Sequence, residues 1–284
     1  MKDSLFILFQ HIVPQHLLSR LVGWLAECRK PGIKNWLIGR FIKRFNVDMT
    51  EAEREHIDQY EHFNDFFTRA LKEGARPISA GDNIIVSPAD GAISEVGKLE
   101  YSRVLQAKGR GYSLTSLLGG SEKLASEFIN GTFATVYLSP KDYHRVHMPV
   151  AGALKEAFYV PGDLYSVNQT TAENVDNLFA RNERLVCLFE TDKGPMAMIL
   201  VGAMIVAGIE TVWAGQIAPI KRDPINVFKT QGDTPVLLGK GDEMGRFKLG
   251  STVILLFPEG VTNWQETLAA GTPLKMGEPI GTQS

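Results

Sequence analysis

Cysteine is almost absent. Cys28 and Cys187 are the only two, too few and too far apart for a disulfide framework or a Cys-rich zinc site, so a reducing compartment is the simpler setting. Long apolar runs are missing too. Leu5 to Phe9 spans five residues and is followed by Gln10 and His11 instead of a small-residue cleavage site, so no secretory signal peptide is expected. No stretch approaches the ~20 apolar residues that a spanning helix needs, and the chain is expected not to cross a bilayer. Gly-rich phosphate loops, dinucleotide fingerprints and HExxH pairs are absent, which removes the chemistries those patterns serve. There is no internal repeat and no low-complexity segment, and no nucleic-acid partner is expected.

What is present reads as globular: 44% of the 284 residues are hydrophobic and 22% charged. The formal net charge of -2 hides an asymmetry, because residues 1–45 carry eight Lys and Arg against Asp3 and Glu27, leaving +6 there and -8 elsewhere. Such a split points to an anionic surface met by the N-terminus. From Leu5 to Phe45 apolar residues recur at three- and four-residue steps (Leu17, Leu18, Leu21, Val22, Leu25, then Ile33, Trp36, Leu37, Phe41), and Pro14 and Pro31-Gly32 divide them into helices. These are either core helices with solvated basic faces or interfacial helices with Trp24 and Trp36 at the headgroup level. Residues 48–73 are expected to be helical and polar, with a cap near Asn64 or Asp65 ahead of Phe66 and Phe67.

From Ile84 onward, short apolar runs alternate with Gly, Pro, Asn and Asp: Ile84–Val86, Ala92–Val96, Phe133–Leu138, Val146–Met148, Leu185–Phe189, Met196–Val206, Ile209–Ala214, Val236–Leu238 and Val253–Phe257. One helix is expected between Ser113 and Phe128. The class is α+β: N-terminal amphipathic helices, then a mainly antiparallel β core. The division expected is residues 1–75, helical and membrane-associating, and residues 76–284, β-rich and catalytic.

Three segments carry candidate chemistry. SPADG, Ser87–Gly91, has the composition of a turn that Asp90 could simply cap. YLSPKDYHRVHMP, Tyr137–Pro149, holds His144 and His147, either of which taken alone could be a satisfied core histidine. GRFKLGSTVILLF, Gly245–Phe257, places Gly250 and Ser251 between a basic, turn-prone approach and a buried strand. Locally that pair could be no more than a strand entrance. A catalytic serine would need a base to take its proton and a backbone held in an unusual shape before it could reach the preceding carbonyl.

Together these segments resemble the pyruvoyl-dependent phosphatidylserine decarboxylases of the bacterial kind, over nearly the whole chain. LGST, Leu249–Thr252, resembles their self-cleavage site. FNDFFTRAL, Phe63–Leu71, resembles their Phe-Phe-x-Arg stretch, with Ala70 where proline is usual. The resemblance implies that Ser251 attacks the Gly250 carbonyl, that an ester and then a dehydroalanine follow, and that hydrolysis leaves a pyruvoyl cofactor derived from Ser251. That group would form a Schiff base with the substrate amine and accept electrons as carbon dioxide leaves. It further implies that His147 takes the proton from Ser251, that Asp90 orients and charge-stabilises His147, and that His144 contacts the substrate or donates the proton in decarboxylation.

The implied partners are phosphatidylserine in the membrane and the two cleaved chains, 1–250 and 251–284, held to each other, with a homodimer left open. The implied location is the cytoplasmic face of the inner membrane, peripherally bound. Two rivals stand beside this reading: a pyruvoyl enzyme acting on a soluble amino acid, and a non-enzymatic β scaffold recruited to membranes.

Overall fold

The computed structural model describes residues 7, 8, 10, 12–100, 102–107, 109–204, 208–218, 225–229, 234–248 and 251–284, without the side chains of residues 225–227, 229 and 251. Leu249 and Gly250 therefore lie outside the described residues, as do Val206 and part of the Leu5–Phe9 run. The first two long helices fall where proline places them. Helix α1, Gln15–Ala26, follows Pro14, and α2, Pro31–Phe45, has Pro in its first turn, where a missing N–H costs nothing. Asn46 ends α2 in the left-handed region at φ 53°. Ile38 of α2 is buried in a small core with Phe41, Tyr60, Phe63, Phe66 and Phe67, the last three belonging to the short helix α3, Phe63–Phe67.

The β part is organised by one antiparallel sheet. Its order is Ile225–Lys229, Gly152–Val160, Arg184–Thr191, Gly194–Val201, Ser251–Phe257, Thr132–Leu138, Gly91–Lys98 and Pro273–Leu274, with Leu237–Leu238 pairing on Gly152–Val160 beside Ile225–Lys229. Ser251–Phe257 lies inside the sheet, paired along its whole length with Thr132–Leu138 and from Thr252 to Leu256 with Gly194–Val201. Successive side chains on a strand face opposite ways. Accordingly, Val253, Leu255 and Phe257 enter one core with Ile93, Val136 and Met198, while Ile254 and Leu256 enter a second with Phe128, Phe133 and Ile199. Both faces being buried explains why this run is apolar throughout instead of alternating. A smaller antiparallel sheet joins Gly215–Gln216, Gly208–Thr211, Glu243–Lys248 and Arg145–His147, and a third joins Ile84–Val86, Pro279–Gln283 and Thr262–Trp264.

Several expectations are corrected. Residues 48–73 contain only a 3-10 turn at Ile57–Gln59 and α3. The rest is a closed loop whose ends meet at the Ala52–Leu71 bridge, with Lys72 N–H donating to Glu51 O at 2.9 Å. The two-residue spacing of Glu51, Glu53 and Glu55 suits extended chain better than a helical face. The cap of α3 is His62, whose Nδ1 accepts from Asp65 N–H at 3.1 Å. The single helix between Ser113 and Phe128 is two, Leu114–Leu117 and Glu122–Ser126, divided at Gly119 and Gly120 with φ of 72° and 91°. The basic approach to Ser251 is not a turn: Glu243–Lys248 is a strand.

Candidate active site

The SPADG segment is a bend that only glycine can close. Gly91 has φ 153°, and a Cβ there would stand 2.1 Å from the Tyr137 carbonyl oxygen. The bend delivers Asp90 into a buried ion pair. Arg76 Nε donates to Asp90 Oδ1 at 2.8 Å and Nη2 to Oδ2 at 2.6 Å, while the Met276 N–H donates to Oδ1 at 2.8 Å. The same Nη2 reaches Glu51 at 2.7 Å, so one guanidinium bridges two carboxylates, which raises the Arg76 pKa despite the opposing effect of burial.

His147 is fixed by the short strand Arg145–His147. Its N–H donates to Pro88 O at 2.8 Å, tying the strand to the SPADG bend. On the ring, Nδ1 lies 2.8 Å from Gly241 O and Nε2 3.0 Å from the Tyr143 hydroxyl. A carbonyl only accepts, so Nδ1 carries the proton and Nε2 presents its lone pair. Burial lowers the His147 pKa below its ordinary value, leaving the ring neutral and basic at neutral pH, and pushes the Tyr143 phenol up to about 12. The hydrogen bonds of the His147 ring thus go to Gly241 and Tyr143, whereas those of Asp90 go to Arg76 and Met276. Asp90 acts on His147 through its charge, which favours the imidazolium, and the orienting contact belongs to Gly241.

His144 precedes that strand and is fully buried, its ring 4.0 Å from that of Phe67. Nδ1 donates to Asp142 O at 2.8 Å, and Nε2 is buried without a partner among the described residues. Burial lowers its pKa to about 3. The neutral ring therefore offers Nε2 as an acceptor, and the proton-donor role would require protonation against that shift. Because the unfolded chain binds this proton near pH 6.5 and the folded chain does not, stability should fall by about 1.4 kcal/mol per pH unit as pH drops below 6.5. Denaturant melts of His144→Asn should show a shallower decline between pH 6 and 4; identical slopes would remove His144 as the source.

Ser251 opens the central strand opposite Leu138, and Thr252 faces Tyr137 on one neighbour and Val201 on the other. The Thr252 Oγ1 is buried without a partner among the described residues. Beside this end of the sheet lies a cavity of about 490 Å³ whose lining includes Arg69, Asp90, Tyr137, Ser139, Asp142 and Tyr143. The structure therefore brings Asp90, the Tyr143 that holds His147, and the strand opposite Ser251 to one place. Gly250 and the Ser251 side chain lie outside the described residues. Reasoning from sequence passed over Arg76, Tyr143 and Gly241. Tyr143 stands four residues before His147 in the segment already singled out, and a buried Asp90 calls for a cation.

Comparison with known proteins bears on the chemistry. The family profile described as phosphatidylserine decarboxylase matches residues 63–282, and one described as PSD matches residues 5–46. The chain belongs to the phosphatidylserine decarboxylase family. It is 58% identical over 99% of its length to the phosphatidylserine decarboxylase proenzymes of Pseudomonas fluorescens and Ectopseudomonas mendocina, covering 98% and 99% of those chains. The corresponding proenzyme of a Pseudomonas aeruginosa strain is also 58% identical, over 98% of this chain and 96% of its own. As a phosphatidylserine decarboxylase family member of near-equal length, the chain aligns its SPADG, HRVH and LGST segments within the matched span 63–282.

Two further segments, YVPGDLYSVN (Tyr159–Asn168) and LFARNERLV (Leu178–Val186), have local roles. YVPGDLYSVN receives the N-terminal segment: Leu164 N–H donates to Gln15 Oε1 at 2.7 Å and Ser166 N–H to Gln10 Oε1 at 2.8 Å. In LFARNERLV, Asn182 is fully buried and its Nδ2 donates to Tyr165 O and Gly202 O at 2.8 and 2.9 Å.

Proposed function

We infer that this chain is a self-processing carboxy-lyase that converts phosphatidylserine to phosphatidylethanolamine and carbon dioxide. The observation that carries the reading is the 58% identity, over 99% of the chain, to proteins named as phosphatidylserine decarboxylase proenzymes. Maturation begins at Ser251. The neutral Nε2 of His147 takes the hydroxyl proton, Oγ bonds to the Gly250 carbonyl carbon, the peptide C–N bond breaks, and the nitrogen of residue 251 receives the proton. Asp90, clamped by Arg76, supplies negative charge that favours the imidazolium during this transfer.

The residues present fit a pyruvoyl group at position 251: a serine begins the strand, and the buried hydroxyl of the next residue, Thr252, has no partner among the described residues and can donate to a carbonyl oxygen. Such a group supplies an electron sink for the bond to the leaving carboxylate. His144 then serves as a hydrogen-bond acceptor toward the substrate end.

Cleavage need not release residues 251–284. Their first strand is held inside the sheet, Pro273–Leu274 pairs with Gly91–Ala92, and Pro279–Gln283 pairs with Ile84–Val86. Peripheral binding to an anionic membrane is supported by α1 and α2. Trp24 is 79% and Trp36 62% exposed, with Leu17, Leu21 and Ile33 exposed beside Arg20, Arg40 and Lys43. Among the described residues no helix is long and apolar enough to cross a membrane. The N-terminal region is then the membrane-associating part and residues 76–284 the catalytic part, although Glu51 and Arg69 of the former also line the cavity.

The purified protein is expected to release carbon dioxide from phosphatidylserine in vesicles containing anionic lipid, and none from free serine. Equal turnover of serine without lipid would favour the soluble-substrate rival.

A further inference from the structure

Arg69 is the one cavity-lining cation whose side chain is 3% exposed or less by residue and which makes no ion pair among the described residues. Arg76 is committed to Asp90 and Glu51, and Lys275 reaches Glu51 at 3.5 Å. Arg69 hydrogen-bonds only to backbone among the described residues, and its guanidinium lies over the Phe66 ring at 5.5 Å: Nη2 donates to Lys141 O at 3.1 Å and lies 3.5 Å from Asp142 O. Its Nε and Nη1 are buried with no partner among the described residues. Burial lowers its pKa, the sign of a charge held out of water without full compensation. A buried guanidinium with unused donors costs several kcal/mol, of order, unless something in the working protein satisfies it.

The guanidinium keeps its charge at any working pH, and a single unused N–H suffices to reach one oxygen of an anion. Resting on the phospholipid reading above, we propose that Arg69 is the binding site for the phosphodiester of the substrate. A phospholipid with a serine headgroup offers two anions, the phosphodiester and the carboxylate, and the reaction distinguishes them. The carboxylate must lose its charge as it becomes carbon dioxide, so an ion pair to it would stabilise the ground state more than the transition state and slow the step. The phosphodiester keeps its charge from substrate through product. An ion pair to it adds equal binding to every state, which appears in KM and leaves kcat alone.

The position agrees. Asp142, whose carbonyl is shared by Arg69 Nη2 and His144 Nδ1, holds the Ser139 N–H through its carboxylate at 2.7 Å, and Ser139 follows the residue opposite Ser251. The cation is thus beside the reacting end of the strand, on the wall formed by the 139–142 turn.

Glycerophosphocholine, a phosphodiester with neither a carboxylate nor a primary amine, tests the assignment. The full-length, self-cleaved protein is titrated with it by calorimetry, and phosphatidylserine turnover is measured in mixed micelles. Arg69→Gln is expected to weaken glycerophosphocholine binding at least tenfold and to raise KM by a similar factor, with kcat within threefold of wild type. Arg69→Lys, which keeps the charge but loses the guanidinium N–H donors, should fall between, with KM raised at least threefold, and it serves alone if the Gln variant does not self-cleave. Unchanged glycerophosphocholine affinity, no binding by the wild type, or a fall in kcat at constant KM would overturn the proposal. Loss of binding in Arg69→Gln together with a wild type that does not turn over phosphatidylserine would leave the phosphodiester site standing and reject the decarboxylase reading instead.

Discussion

Ser251→Ala is expected to yield a single uncut chain with decarboxylase activity below about one part in 10⁴ of wild type, since both the nucleophile and the source of the electron sink are removed in one change. The fold should survive. Thr252–Phe257 supplies the buried part of the strand and its pairing on both sides, so the melting temperature should stay within a few degrees of that of the uncut wild type. Denaturing electrophoresis and a lipid turnover assay check the two halves of this result. A Ser251→Ala chain that is still cut, or that is cut elsewhere and active, would reject the assignment of the reacting residue.

His147→Ala should slow self-cleavage by roughly 10²- to 10⁴-fold, the range typical for loss of a positioned base. Tyr143→Phe removes only the hydroxyl that sits on Nε2 at 3.0 Å and should have a smaller effect, about tenfold or less. The pH dependence carries the sign of the argument. Burial holds the His147 pKa below 6.5, so the ring is already in its basic form above that pH. The wild-type cleavage rate should be flat from pH 6.5 to 8 and decline only in more acid solution. A rate that climbs steadily between pH 6.5 and 8 would assign the proton transfer to another group. Asp90→Asn should also slow cleavage, and by this geometry Arg76→Gln should do so too, because it removes the clamp that holds the carboxylate at 2.6 to 3.1 Å.

The sequence was most legible where local physics and tertiary context agreed. Pro14 and Pro31 marked the starts of α1 and α2, and the apolar run Val253–Phe257 was readable as a buried strand because both of its faces meet a core. It was least legible where one overruled the other. Gly152–Val160 is a nine-residue strand next to one edge of the main sheet, yet Gly152, Lys155 and Glu156 interrupt its pattern, and a register shift between Leu154 and Glu156 breaks the alternation on which such readings depend. Residues 48–73 look helical in composition, but their ends are joined by a bridge and their glutamates serve Arg76 and Lys72.

The site shows the same division. Asp90 and His147 were singled out through motif resemblance, whereas some of their hydrogen-bond partners come from remote positions. Gly241 lies 94 residues from His147, and Met276 lies 186 from Asp90. No local pattern encodes such pairings. The Met276 contact also means that residues on the far side of the 250–251 bond help to hold Asp90.

The account rests most heavily on the break between Gly250 and Ser251. Intact mass of catalytically active protein tests it directly: the expected result is two species corresponding to residues 1–250 and 251–284, the smaller without a free amino terminus and reactive toward hydroxylamine. A single species of 284 residues with undiminished phosphatidylserine turnover would contradict it.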